Sequence, residues 1–313
     1  MAYVGDTPWH GHGDVMKPGM SRADWEKAAD MNWEVKRQTM FYEVGGRKYK
    51  VGIRDVLVRS DDPTTVLGVV GQDYKPVQPK QVMDFFFDAT DKTDFEMETA
   101  GTLQEGRRLW GLARMKDGDI VIGKKDVIKP YLLLASSTDG YSATFAAFTT
   151  VRVVCCNTLE AARRDIGQDQ VRISHSVAFD PKAVRAMLSG AEKTYGEFRK
   201  NVTVLSKRKV SNAEAVAYFV DVLNKKDSEK LDVKDASTFG KKMNKMLELF
   251  KNGPGANLDS ANGTAWGLVN AVTRYADFEA KAENSSNRLT AAWFGAGAKL
   301  KEQAMLKAMA MAA

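Results

Sequence analysis

Cysteine is almost missing from this 313-residue chain: there are two, adjacent at Cys155 and Cys156, inside an apolar β-like run. Neighbouring cysteines rarely bridge each other, and no third or fourth is present to complete a zinc set, so they read as reduced thiols packed as small hydrophobes. Histidine is as scarce, with three residues, and His10 and His12 in the loop Thr7-Pro8-Trp9-His10-Gly11-His12-Gly13 have no carboxylate or thiol cluster at ligand spacing. No apolar run approaches the roughly 18 residues that cross a bilayer, and no signal-peptide core opens the chain, so a cytoplasmic protein with no membrane partner is expected. Also lacking are G-x-x-x-x-G-K-[ST], G-x-S-x-G and H-E-x-x-H, which removes the commonest signatures of phosphate loops, serine hydrolases and zinc proteases. Gly295-Ala296-Gly297 lacks a preceding strand and reads as a bend between helices. Asp117-Gly118-Asp119 could offer oxygens to Mg²⁺ but falls where a hairpin turn is expected. No cofactor is implied.

What the chain does have is an ordinary apolar fraction of 44% and a net charge of +6 that is unevenly placed. Residues 199–251 hold thirteen Lys/Arg against seven Asp/Glu, whereas the 198 residues before them are nearly balanced. A basic cluster of this kind points to an acidic partner, most often nucleic acid. The competing reading is a solvated helix face.

Periodicity predicts the order of elements. Ser21 caps a short helix with Trp25, Ala28 and Ala29 on one side. The period then changes to two, and Met40–Val44 with Lys48–Val51 form a hairpin across Gly45-Gly46. Strands follow at Asp55–Arg59 and Val66–Val70, then a helix over Lys80–Asp91 whose Phe85-Phe86-Phe87 belongs to the core. Phe95–Ala100, Arg107–Arg114, Ile120–Ile122, Tyr131–Ser136 and Tyr141–Val154 read as a meander, with Asp139-Gly140 turning its last hairpin. Asn157-Thr158-Leu159-Glu160 resembles an N-cap and first helical turn, carrying Arg163 and Arg164. Residues 180–251 are helical, broken near Lys207 and again over 224–234. After the linker Asn252-Gly253-Pro254-Gly255 come a helix over Trp266–Phe278, an interruption at Ala291–Gly297 and a final Ala/Met-rich helix. The expectation is an α+β protein: an antiparallel β-meander sheet packed with helices, followed by a helical C-terminal region. Its segments are an N-terminal arm and helix (1–34), an α+β core (35–177), a basic helical region (178–251) and a C-terminal helical region (252–313).

The candidate site is a binding surface. Along one strand, period two places Arg108, Trp110 and Arg114 on one face and Arg107 on the other. Arginine beside tryptophan can fix phosphates and stack a base. Lys124, Lys125 and Arg152 extend the same groove, and Lys207, Arg208 and Lys209 mark a second basic contact. The competing reading makes Trp110 core and leaves the arginines at strand ends.

Four stretches carry a resemblance: Pro8-Trp9-His10-Gly11, Val70-Gly71-Gln72-Asp73-Tyr74-Lys75-Pro76-Val77-Gln78, Arg152-Val153-Val154-Cys155-Cys156-Asn157-Thr158-Leu159, and Thr264-Ala265-Trp266-Gly267-Leu268-Val269-Asn270-Ala271-Val272-Thr273. With Asn287-Arg288 and Ala292-Trp293-Phe294-Gly295, they resemble the phage- and plasmid-borne family of unknown function DUF932. That resemblance implies a mobile-element setting in a bacterial host and no catalytic residues. The order of elements is also similar to that of phage single-strand annealing proteins of the Red-beta and RecT type, which share a curved antiparallel sheet and assemble into rings or filaments on DNA; no motif carries this second likeness. Together they lead to the expectation of a non-enzymatic, homo-oligomeric single-stranded-DNA-binding and annealing protein, working beside a phage exonuclease or single-strand-binding protein. The alternatives are a metal-dependent, nuclease-like DNA-processing enzyme and a mobile-element assembly protein that touches no nucleic acid.

Overall fold

The computed structural model describes residues 1–5, 13–17, 19–90, 94–152, 157–160, 170–187, 191–223 and 233–313. Trp9, His10, His12, Cys155, Cys156, Arg163 and Arg164 lie outside the described residues. The chain is α+β, and its contacts divide it into two compact units. One comprises Met1–Asp117, Tyr131–Phe148 and Arg164–Ala191; the other comprises Gly118–Pro130, Thr149–Arg163 and Glu192–Ala313.

In the first unit, strands β1 (Ala2–Val4), β2 (Asp14–Met16), β6 (Phe95–Leu103), β7 (Arg108–Met115), β9 (Asp126–Ser137) and β10 (Thr144–Arg152) pair in the order β2-β1-β6-β7-β9-β10, and β12 (Gln170–Ile173) joins β10. Pairing is antiparallel except between β1 and β2, which run parallel. Neither β1 nor β2 shows in the sequence, because three residues carry too little periodicity. Helix α1 (Arg22–Ala28) starts where Ser21 caps Asp24 and Asp24 caps back, a complete capping box. Helix α2 (Pro79–Thr90) lies on β6 and β7 with Val82, Met83, Phe85 and Phe86 fully buried. Gly111 makes this contact possible: a Cβ there would stand 2.5 Å from the Phe86 ring. Helix α3 (Pro181–Met187) packs on α2. A separate three-stranded sheet, β3 (Val35–Val44), β4 (Arg47–Arg59) and β5 (Val66–Val70), is antiparallel in that order.

The second unit holds β8 (Ile120–Ile122) against the start of β9 and β11 (Asn157–Glu160) against the end of β10. Around them stand α4 (Ala191–Lys207), α5 (Asn212–Leu223), α6 (Val233–Asn252), α7 (Ala265–Arg274), α8 (Ser285–Phe294) and α9 (Ala296–Ala312). Helix α7 is buried on nearly every side, caps itself with Thr264 Oγ1 accepting from Gly267 N at 3.2 Å, and continues as a π-helical turn over Tyr275–Glu279. Two sequence expectations fail here. Asn157–Glu160 is a strand, not a first helical turn, since its backbone pairs with Thr149–Arg152. The interruption expected at Ala291–Gly297 shrinks to Gly295, because Ala291–Phe294 complete α8.

Candidate nucleic-acid interface

Several of the residues proposed from sequence are turned inward, some in each unit. Trp110 is fully buried, and so is its neighbour Leu109; with Leu112 and Ala113 also inside, β7 is covered on both faces and Trp110 has no surface to offer a base. Arg107 precedes the strand and donates through Nε and Nη2 to Val66 O at 3.4 and 3.1 Å, closing part of the open edge of β5. Arg108 is turned inward: its Nη1 meets Asp139 Oδ2 and donates to Ser137 Oγ at 3.1 Å. Burial pushes the Asp139 carboxyl up, but hydrogen bonds from Ser137, the Tyr141 N–H and Arg108 outweigh it and hold the group below its ordinary value. Arg114 is half-buried, opposite Glu96 on β6.

In the second unit Arg152 is sealed as well. Its Nε and Nη2 donate to the two oxygens of Asp126 at 2.6 and 2.8 Å, and Nη2 also reaches Gly255 O at 3.2 Å. Asp126 further accepts from Ser260 Oγ at 2.6 Å and from Trp266 Nε1 at 3.1 Å. A buried charge pair with this many partners is structural, tying β9 and β10 to the 253–264 loop. Arg208 pairs with Glu214 at 2.5 Å, and hydrogen bonds from Arg208 and Ser211 pull that carboxyl down to about 2. Lys209 donates to Asn262 O at 3.2 Å. Lys124, Lys125 and Lys207 remain as exposed cations. Trp110 and Arg152 are therefore corrected from binding residues to parts of the interior, and Arg108 to a half-buried partner of Asp139. Asp117 and Asp119 are exposed in their turn, and among the described residues no three His, Cys, Asp or Glu side chains gather as a metal set.

The surface that stands out is elsewhere, on the β3–β4 ribbon. Gly45 and Gly46 both have positive φ, +57° and +76°, which a two-residue hairpin turn of the primed type requires. Every residue from Phe41 to Lys50 is exposed, so the ribbon is an arm with neither face packed. Register fixes the side chains. Phe41 opposes Lys50 and Glu43 opposes Lys48 on one face, while Tyr42 opposes Tyr49 and Val44 opposes Arg47 on the other. The two tyrosine rings stack with centroids 5.5 Å apart and planes at 23°, although they remain 53% and 44% exposed. Residues 36–54 hold six Lys/Arg, namely Lys36, Arg37, Arg47, Lys48, Lys50 and Arg54, against the single carboxylate Glu43. Residues Val51 to Arg54 bulge out of register, leaving Ile53 76% exposed.

The arm's root is clamped. Arg37 Nη1 donates to Asp55 Oδ2 at 2.9 Å and to Gly71 O at 3.2 Å, and Gln72 Nε2 donates to Gly52 O. Gln78 bonds Val35 in both directions, through Oε1 at 2.8 Å and Nε2 at 3.2 Å. Arg59 lies 4.4 Å over the Trp33 ring and pairs with Asp30 and Asp61. The sequence signal was partial: Arg47-Lys48-Tyr49-Lys50 follows the Gly45-Gly46 turn with three cations around one aromatic ring, but Met40, Tyr42 and Val44 share a face that alternation alone would assign to a core.

By fold and site this is an α+β protein with a helical C-terminal region and a free, cationic, aromatic β-arm. It belongs to the family described as domain of unknown function (DUF932), whose model matches residues 66–293. No curated protein and no solved structure matches the chain, so the likeness to annealing proteins rests on element order alone. The arm precedes the matched segment. No described helix is long and apolar enough to cross a membrane.

Proposed function

We propose that the protein binds single-stranded DNA through the β3–β4 arm and that this binding serves strand annealing in a mobile-element setting. The observation that carries the reading is the exposed Tyr42–Tyr49 stack on a ribbon that also presents Arg47, Lys48, Lys50 and Arg54. Cations supply backbone attraction without sequence preference, and aromatic faces stack unpaired bases of any kind. Stacking engages the face of a base and leaves its pairing edge free for a second strand, which is what annealing requires. Self-pairing of arms is the less favourable use, since two copies would bring their like charges together. Oligomers on DNA are expected to form through other surfaces.

The test is fluorescence anisotropy of labelled single-stranded and duplex DNA, with anionic vesicles as a competitor and mass photometry on the same samples. Preferential, salt-sensitive binding to single strands supports the reading and justifies an annealing-rate assay. Binding to vesicles with none to DNA, or no binding to either at low salt, overturns it.

A further inference from the structure

The turn joining β9 to β10 ends in a tyrosine that no packing explains. Tyr141 is 88% exposed, yet the turn beneath it is one of the most tightly held in the first unit. Asp139 is fixed by Arg108 and by Ser137 Oγ, and it accepts from Tyr141 N at 3.0 Å. Thr138 is fully buried, with Oγ1 donating to Gly106 O at 2.9 Å and N to Arg107 O at 3.1 Å. Tyr74 donates to Ser137 O at 2.8 Å. On the other side β5 presses against the turn: a Cβ on Gly68 would stand 2.7 Å from the Asp139 backbone, and one on Gly140 would stand 3.1 Å from Val70. Gly140 itself sits at φ +85°. A large ring carried into water by a turn whose backbone is fixed by a buried polar network is pre-organised for contact, because little loop freedom is left to lose on binding.

Two cations lie along β5, the strand that the turn presses against. Arg107 lies along β5 at Val66 O, and the Arg54 guanidinium approaches Gly71, the residue after β5. Val70 of β5 pairs with Asp55, which pairs with Thr39 of β3, three residues before Tyr42. Two strand spacings and, at right angles to them, three residues of rise put Val70, against which Gly140 stands, about 14 Å from Tyr42. A short extended single strand spans that distance.

We infer that Tyr141 is a second, rigidly presented base-stacking residue on the same single-stranded path, with Arg54 and Arg107 holding the backbone between it and the arm. This rests on the arm's role as a single-strand site. Arg108 then acts as a positioning residue, fixing the turn and touching no nucleic acid.

The test uses the full chain with labelled oligothymidylates of two lengths, one long enough to reach from the arm to Tyr141 and one covering the arm alone. Tyr141→Ala should weaken the long oligonucleotide about tenfold and leave the short one unchanged, while Tyr141→Phe binds both like the wild type. Because the side chain touches solvent, circular dichroism and thermal unfolding should match between the variants. Photo-crosslinking to iodouracil-substituted single strands, read by mass spectrometry, should yield an adduct at Tyr141. Equal affinity of Tyr141→Ala and wild type for the long oligonucleotide, or adducts confined to Tyr42 and Tyr49, would overturn this inference while leaving the arm's role intact. A wild-type protein that binds no single strand defeats both.

Discussion

The arm makes a prediction that can be worked out as a slope. Lys36 is spent on Glu34 and Arg37 on Asp55, which leaves Arg47, Lys48, Lys50 and Arg54 as the exposed cations outside the root's ion pairs. Each phosphate neutralised on a single strand contributes about −0.7 to the slope of log affinity against log salt. Four such contacts give a slope near −3, or roughly a fiftyfold loss of affinity between about 50 and about 200 mM salt. Replacing Arg47, Lys48 and Lys50 together with Gln removes three of the four and should flatten the slope by about 2. The ribbon's fold should survive, since its turn geometry comes from Gly45 and Gly46 and its root from Arg37, Gln72 and Gln78. Anisotropy titrations at four salt concentrations measure the slope directly, and a Lys124→Gln/Lys125→Gln/Lys207→Gln variant, which also removes three exposed cations, controls for general charge loss. An arm variant whose slope equals that of the wild type would refute the reasoning, however much its affinity changed.

Two further outcomes concern the interior. Asp126→Ala leaves Arg152 buried without its carboxylate and takes an acceptor from Ser260 and Trp266; it should cost about 3–5 kcal/mol in urea unfolding and speed hydrogen exchange across 253–264. The double change Asp126→Leu/Arg152→Met should recover most of that loss, and a single variant within about 0.5 kcal/mol of wild type would show the pair to be dispensable. His175 stacks on Tyr74 at 4.7 Å with Nδ1 3.1 Å from Lys75 O, and burial lowers its pKa. The folded state therefore prefers the neutral ring: the contribution is complete above about pH 6.5, the ordinary value, and is lost as pH falls below it. Thermal unfolding from pH 7.5 down to pH 5 should show this decline in the wild type and a flatter profile in His175→Gln; parallel profiles would remove His175 as the cause.

Much of the architecture could be read from the residues, and the errors have physical causes. The capping box at Ser21 and Asp24, the glycine turn at 45–46 and the helix bearing Phe85 and Phe86 all follow from local chemistry that the fold leaves undisturbed. Asn157–Glu160 misled because a good N-cap is also a tolerable strand residue, and pairing with β10 decided between them. Trp110 misled for a different reason. Period two assigned it to a face with Arg108 and Arg114, but residues 109–113 contain no polar side chain, the mark of a strand covered on both sides. Reading charge along the strand hid the burial across it. The arm carried the opposite signal, two faces that are both polar and aromatic, and its meaning depends on an exposure that the fold decides.

The interleaving of the two units has a consequence for how the protein can be made and taken apart. Each unit is assembled from three separate stretches of chain, and β9 and β10 each pass from one unit to the other. No single cut releases either as an intact piece: a fragment ending at residue 117 would lack the β9 and β10 segments that complete its sheet. During synthesis the first unit waits until residues out to Ala191 have emerged before its last segments can pair, so its strands remain open while the second unit's early segments are already present. Genetic dissection of this protein therefore has to proceed by substitution and by shortening the arm, whose residues 41–50 are exposed on both faces.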